Sequence, residues 1–223
     1  MNREALERWA DDKFLLGNHL GQMMHAHLDL EESIAMGSLS QDELSHCSIV
    51  CEMLGDVSER DKDRRLLLRD PAQFKCSSLA AAAVETWPDA VAKHLLYETA
   101  EAQRVELLGA GTVIEREEAL HRRHWLAWSA VLAAQPLTHA ALEESIARLW
   151  PLTDDLFDMA LDISPERWRA DLEAYLAPLG IAPPHVVPSA SRSHRPPGVQ
   201  ADLFDTLEKS QSVYRSSPSA VWG

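Results

Sequence analysis

Two Glu-x-x-His motifs carry the residue types best suited to chemistry in this chain: Glu43 with His46, and Glu118 with His121. Side chains three residues apart share one face of a helix, so each motif presents a carboxylate and an imidazole together. These are ligand types that suit iron and manganese. About one such pair is expected by chance in a chain rich in Glu and His. The motifs alone therefore do not establish a metal site.

Both motifs lie inside the apolar stripe of a predicted helix. Steps of three and four residues along the second predicted helix, about Leu30–Leu54, pass through Met36, Leu39, Glu43, His46, Val50 and Met53. The same steps along the fourth, about Thr112–Ala134, pass through Ile114, Glu118, His121, Trp125, Trp128 and Leu132. Such a stripe faces the core. Buried carboxylates and imidazoles are costly unless they are paired or bound to a metal ion, so the two motifs call for a shared partner.

The other two long helices supply one more carboxylate and one cation. The third predicted helix, Ala72–Leu108 with a break or kink near Pro88, carries Glu98 in its apolar stripe. The first, Arg3–His25, has Lys13 at the equivalent position, and Asp11 and Asp12 fall beside its stripe. A di-metal site in a four-helix bundle takes a Glu-x-x-His from each of two helices and a carboxylate from each of the others. The candidate ligands are Glu43, His46, Glu98, Glu118 and His121.

Three interpretations of these residues remain open. They hold a metal pair, for which iron is expected and manganese is the alternative. They form a buried polar network without metal, in which the ammonium group of Lys13 supplies the positive charge that an ion would bring. In the third interpretation, the helices are rotated and these residues lie on the surface.

The rest of the chain also predicts helices. Ser164 and Pro165 are an N-cap and a first helical residue, and they open a helix that ends at Gly180. We predict a helical bundle over residues 1–180, a Pro/Ser-rich linker or loop over 181–200, and a C-terminal helix with a tail over 201–223 that packs on the bundle. No strand pattern is present, so the expected fold class is all-α.

The overall composition excludes several function classes. The formal net charge is −14, which argues against nucleic acid and anionic membranes as partners. No apolar run approaches the roughly 20 residues that a membrane-spanning helix requires, and the charged N-terminus does not resemble a signal peptide. Three cysteines without a zinc-binding spacing fit a reducing compartment, so a cytoplasmic location is expected.

Five blocks of the sequence resemble, in the same order, the ferritin-like subunits of phenylacetyl-CoA epoxidase, the phenylacetic acid catabolic oxygenase. They are LEESIAMGSLSQDELSH, RDPAQF, VAKHLLYETAEAQRVELL, EREEALHRRHW and ALEESIARLWPLTDDLF. The similarity covers about Ala10 to Asp158. It implies a ferritin-like four-helix bundle with additional C-terminal helices. In this family Glu43, His46, Glu98, Glu118 and His121 match metal-ligand positions, whereas Lys13 stands where the catalytic subunit has a Glu.

The resemblance also implies an activity and partners. Members of this family form part of a multicomponent di-iron monooxygenase, an oxidoreductase that adds one oxygen atom to the ring of an aromatic CoA thioester with electrons from a reductase. A catalytic subunit pairs with a related structural subunit. The expected role is therefore an oxygenase subunit with an intact or degenerate di-iron site, working as a homodimer or as a heterodimer with a related ferritin-like subunit. The alternatives are a non-catalytic structural partner, in which a Lys/Glu/His network replaces the metal, and a ferritin-like metal-handling protein.

Overall fold

The computed structural model describes residues 2–24, 29–109, 111–157, 163–188 and 195–218. In these ranges the helices are α1 (Arg3–Met23), α2 (Leu30–Met53), α3 (Glu59–Leu66), α4 (Ser78–Ala81), α5 (Trp87–Glu106), α6 (Val113–Ala133), α7 (Pro136–Leu149), α8 (Pro165–Leu176) and α9 (Pro197–Ser216). Short 3-10 segments occupy Pro71–Gln73, Trp150–Leu156 and Ala177–Leu179. No strand occurs in the described ranges, which confirms the all-α prediction.

The chain divides into two compact units. The first consists of residues Asn2–Cys76, Ala80–Ala83 and Arg195–Gly223, and the second of Ser77–Leu79 and Val84–His194. In the first unit α1 packs along α2 and also contacts α9. In the second, α5 packs against α6, α7 and α8. Two pairs of long helices, α1 with α2 and α5 with α6, therefore carry the candidate ligands.

Local signals define the helix ends in the first unit. The Asp29 side chain accepts a hydrogen bond from the Glu32 N–H and begins α2 as predicted, and Gly55 follows the helix with a φ of 98°. A positive φ of this kind favours glycine, which has no Cβ atom. The first helix ends at Met23, and the predicted end at His25 lies outside the described residues. The Ser58 side chain accepts a hydrogen bond from the Asp61 N–H and starts α3 at Glu59.

The region before α5 differs from the predicted third helix. That long helix is replaced by a 3-10 turn, a short α4 and then α5, which begins at Trp87. Thr86 and Asp89 form a reciprocal capping box, and Pro88 occupies the first turn of α5. A proline is favoured in the first turn because the missing N–H would have no helical partner there. The predicted interruption near Pro88 is therefore a break, and Pro88 lies in the first turn of the helix that follows it.

Helices α6, α7 and α8 begin close to their predicted positions. Thr112 caps α6 by accepting from the Glu115 N–H, and Ser164 caps α8 by accepting from the Arg167 N–H. The fourth helix was predicted to end at about Ala134; α6 ends at Ala133, and Pro136 lies just beyond it in the first turn of α7. Gly180 ends the following 3-10 segment with a φ of 75°.

The C-terminal helix, α9, begins earlier than predicted. Residues 181–188 contain no helix, and α9 begins at Pro197, inside the predicted linker. The rest of that linker, residues 189–194, and the tail with Trp222 lie outside the described residues. Among the helices that the structure describes, none is long and apolar enough to cross a membrane.

Candidate metal centre

Helices α1 and α2 cross closely at a glycine. Ser40 Oγ on α2 donates a 2.7 Å hydrogen bond to the Gly17 carbonyl oxygen on α1. A Cβ atom at Gly17 would lie 2.8 Å from Leu44 Cγ and 3.2 Å from the Ser40 carbonyl oxygen. The absence of a side chain at Gly17 allows this close approach. The approach fixes the register of α1 on α2, in which the residues about one turn away face each other.

Lys13 and Glu43 form a fully buried ion pair in this register. Lys13 Nζ lies 2.9 Å from Glu43 Oε2, and neither side chain is exposed to solvent. Two charges taken out of water are tolerated only when close pairing offsets their lost hydration. His46, one turn further along α2, is also buried. The burial predicted for these residues from the apolar stripes is therefore confirmed, but Met53 at the end of the stripe is half-exposed.

Asp11, two residues before Lys13 on α1, is a second buried carboxylate. Asp11 accepts hydrogen bonds from the Arg69 guanidinium and, at 2.7 Å, from the Lys75 backbone N–H. Desolvation by burial raises the pKa of Asp11 to about 6, against the opposing effect of Arg69. Because α1 is buried on more than one side, residues beside its apolar stripe are buried as well. Asp11 thus anchors the segment after α3 and was not predicted to do so.

The α5–α6 pair brings together three of the predicted ligands. Glu98 on α5 and Glu118 and His121 on α6 are all buried, and each offers a ligand atom within 4.8 Å of the other two. His121 Nδ1 is 3.9 Å from Glu118 Oε2. Two buried carboxylates at this separation repel each other, and a cation bound between them would offset that repulsion.

The neighbouring Glu101 is committed to a different partner. The guanidinium of Arg104 pairs with Glu101 and donates a 3.0 Å hydrogen bond to the Tyr97 hydroxyl, and all three side chains are buried. Glu101 therefore has its charge balanced within α5. This pairing favours Glu98 over Glu101 as the ligand from this helix.

Aromatic rings pack together on α5 and α6 one turn beyond the cluster. Trp125, one turn after His121, is buried and stacks on His94 with ring centroids 4.4 Å apart and planes at 9°. Trp87 lies 5.9 Å from Trp125 and 5.0 Å from Trp128. Packed rings exclude water and lower the local dielectric, which strengthens the electrostatic interactions beside them.

The donor set of the second unit fits a divalent ion. Two carboxylates and one imidazole are the ligand types of iron and manganese sites, and their buried, converging arrangement needs compensating positive charge. In the first unit Glu43 already has the Lys13 ammonium as its counter-charge.

Buried carboxylates and imidazoles on long, uninterrupted helices of an all-α bundle are typical of the ferritin-like class. Within that class, the chain belongs to the phenylacetic acid catabolic protein family, whose sequence model matches residues 2–222. This match confirms the family resemblance of the sequence blocks and the ferritin-like, all-α fold. It also links the chain to phenylacetic acid catabolism. A search of curated protein sequences found no match.

Proposed function

We propose that this chain is a metal-binding subunit of a multicomponent oxygenase of phenylacetic acid catabolism, which acts on an aromatic CoA thioester. The observation that carries the proposal is the buried convergence of Glu98, Glu118 and His121 within 4.8 Å. By the family pattern, Glu43 and His46 supply the second Glu-x-x-His pair. Bound iron would supply the reductive activation of O₂ that ring epoxidation requires.

The chain's own residues have distinct tasks in this proposal. Glu98 and Glu118 supply negative charge, and the neutral imidazole of His121 supplies a nitrogen donor. Trp125, stacked on His94, keeps water away from the cluster. Electrons come from a separate reductase, and a related ferritin-like subunit is the expected partner in a heterodimer. A homodimer is the alternative, and the cytoplasm is the expected location.

A second candidate function is a non-catalytic structural subunit. It is favoured by the buried Lys13–Glu43 ion pair, in which an ammonium group neutralises a predicted ligand. In that case the carboxylates serve as a buried polar network that positions helices for docking a catalytic subunit. A ferritin-like metal-handling protein would share the metal content of the first candidate without its oxygenase activity.

Metal analysis of the full chain, purified from iron-supplemented cells, separates these functions. We expect iron or manganese in the wild-type protein, less metal in His121→Ala, and unchanged metal in the exposed control Glu144→Gln. Lys13→Glu, which restores a carboxylate on α1, should raise the metal content. A metal-free wild-type chain that forms a stable complex with a second ferritin-like subunit would establish the structural role. Turnover of phenylacetyl-CoA with a reductase then distinguishes an oxygenase from a metal-handling protein.

A further inference from the structure

A cleft opens between α5 and α6 beside the candidate metal centre. Its volume is about 170 Å³, and its lining consists of Ala102, Val105, Glu106, Glu115, Glu118, Ala119 and Arg122. The lining includes exposed residues, Glu106 and Ala119, and buried residues, Val105 and Glu118. The cleft therefore leads from the surface to a carboxylate of the Glu98–Glu118–His121 cluster.

The size of the cleft limits what it can admit. Sites for organic ligands usually have volumes of about 300–1,000 Å³, so a CoA thioester does not fit into this opening. Two alanines, Ala102 on α5 and Ala119 on α6, face the cleft and leave room that larger side chains would fill. An ion or a few water molecules are the occupants that match this volume.

The charges of the lining favour a cation. Three of its side chains are carboxylates, and one, Arg122, is a guanidinium. Glu106 is paired with Arg167 through hydrogen bonds of 2.8 and 2.6 Å, which hold its pKa below the ordinary value and offset much of its charge, so Glu115 and Glu118 supply most of the negative charge. Glu115 accepts from the Gly111 backbone N–H. Fixed carboxylates along a narrow opening raise the local concentration of cations.

We infer that this cleft is the port through which a divalent cation reaches the Glu98–Glu118–His121 cluster, with Arg122 as the residue that limits the rate of entry. The inference rests on the proposed metal centre. In this inference Glu106, Glu115 and Arg122 act on the entry of the cation. None of them is a ligand in the proposed metal centre.

Co²⁺ uptake by the metal-free full chain, followed by its visible absorption after rapid mixing, tests the port. Ala119→Leu should slow uptake by about tenfold, equivalent to about 1.4 kcal/mol in the entry barrier, and leave the final Co²⁺ content unchanged. Ala127→Leu, at an exposed position on the same helix, is the matched control and should load at the wild-type rate.

A charge-reversal pair tests the electrostatic part. Arg122→Glu and Arg123→Glu change the net charge equally, but only Arg122 lines the cleft. Arg122→Glu should accelerate uptake by roughly 3- to 10-fold at low salt, and added salt should reduce the gain. Arg123→Glu should give a clearly smaller change.

The outcomes separate the port from the metal centre. Equal loading rates in Ala119→Leu and Ala127→Leu, or equal effects of the two charge reversals, would overturn the port and leave the metal centre standing. If the wild-type chain takes up no Co²⁺, both proposals fail. If Ala119→Leu does not fold, the two arginine variants decide.

Discussion

Lys13 is the residue on which the interpretation of the first unit depends. Its ammonium group and the Glu43 carboxylate are 2.9 Å apart and fully buried, so each offsets the cost of burying the other. The sequence predicted that Lys13 faces the core together with Glu43, since both lie on apolar stripes. Their direct contact required the register of α1 on α2, which depends on the close approach at Gly17 and could not be derived from stripes alone.

Removing only the cation should be more damaging than removing the pair. Lys13→Met leaves the Glu43 carboxylate buried without its ammonium partner, so the free energy of unfolding of the metal-free chain should fall by about 3–5 kcal/mol. Lys13→Met combined with Glu43→Leu should recover most of this loss, because an apolar pair has no buried charge. Urea unfolding curves measure both values. A double variant as unstable as Lys13→Met alone would show that the ion pair is not the source of the effect.

Asp11 should give the stability a defined pH dependence. Burial raises its pKa in the folded chain to about 6 from an ordinary value of 3.8. The folded state therefore binds the proton more tightly, and the contribution of Asp11 to stability falls as pH rises from about 4 to about 6 and is constant above that. Two pKa units correspond to about 3 kcal/mol.

The variant Asp11→Asn isolates this contribution. The difference in unfolding free energy between wild type and Asp11→Asn should shift against the wild type between pH 4 and pH 7. Asp205→Asn, which changes an exposed carboxylate, is the control. A difference that stays constant with pH would mean that Asp11 does not titrate in this range.

At the scale of helices, the long periodic segments α2 and α6 were predicted within about two residues of their observed ends, whereas the region before α5 was not. Asp29 and Thr112 are capping residues directly before strong apolar periodicity, so pattern and cap agree. Before α5, an alanine-rich stretch has high helix propensity, so a helix was predicted from Ala72 up to the break or kink near Pro88. The capping box of Thr86 and Asp89 overrides that propensity, and it is visible in the sequence as a Thr three residues before an Asp.

The crossing of α1 and α2 gives a prediction about Gly17. Alanine has a higher helix propensity than glycine by up to about 1 kcal/mol, yet a Cβ atom there would lie 2.8 Å from Leu44 Cγ. Overpacking of this kind costs about 1–3 kcal/mol, so Gly17→Ala should destabilise the chain. Leu44 is partly exposed, and adding Leu44→Ala should therefore restore stability.

Chemical unfolding of the four members of this cycle measures the coupling between the two positions. Gly198→Ala is the matched control, because a Cβ atom at Gly198 meets nothing within 4 Å. If Gly17→Ala is as stable as the wild type, or if Leu44→Ala gives no recovery, the crossing is not limited by this contact.

The whole chain is acidic, with a formal net charge of −14, and part of that charge is buried. The surface carboxylates keep their hydration, whereas Glu98 and Glu118 are held close together out of water. A divalent ion bound between them, as we propose, would relieve repulsion that arises only in the folded chain. Metal binding and the stability of the folded state are therefore linked.

Addition of Co²⁺ or Mn²⁺ should consequently raise the melting temperature of the whole chain. At about 100 times the dissociation constant, binding stabilises the folded state by about 2.7 kcal/mol. This corresponds to an increase of roughly 5–10 °C for a chain of this size. Thermal melts followed by circular dichroism measure the shift, and a chelator should reverse it. His121→Ala should lose most of the shift, whereas Glu144→Gln, which removes an exposed carboxylate, should keep it. An equal shift in His121→Ala would assign the effect to cations on the acidic surface and would remove the support for a buried centre.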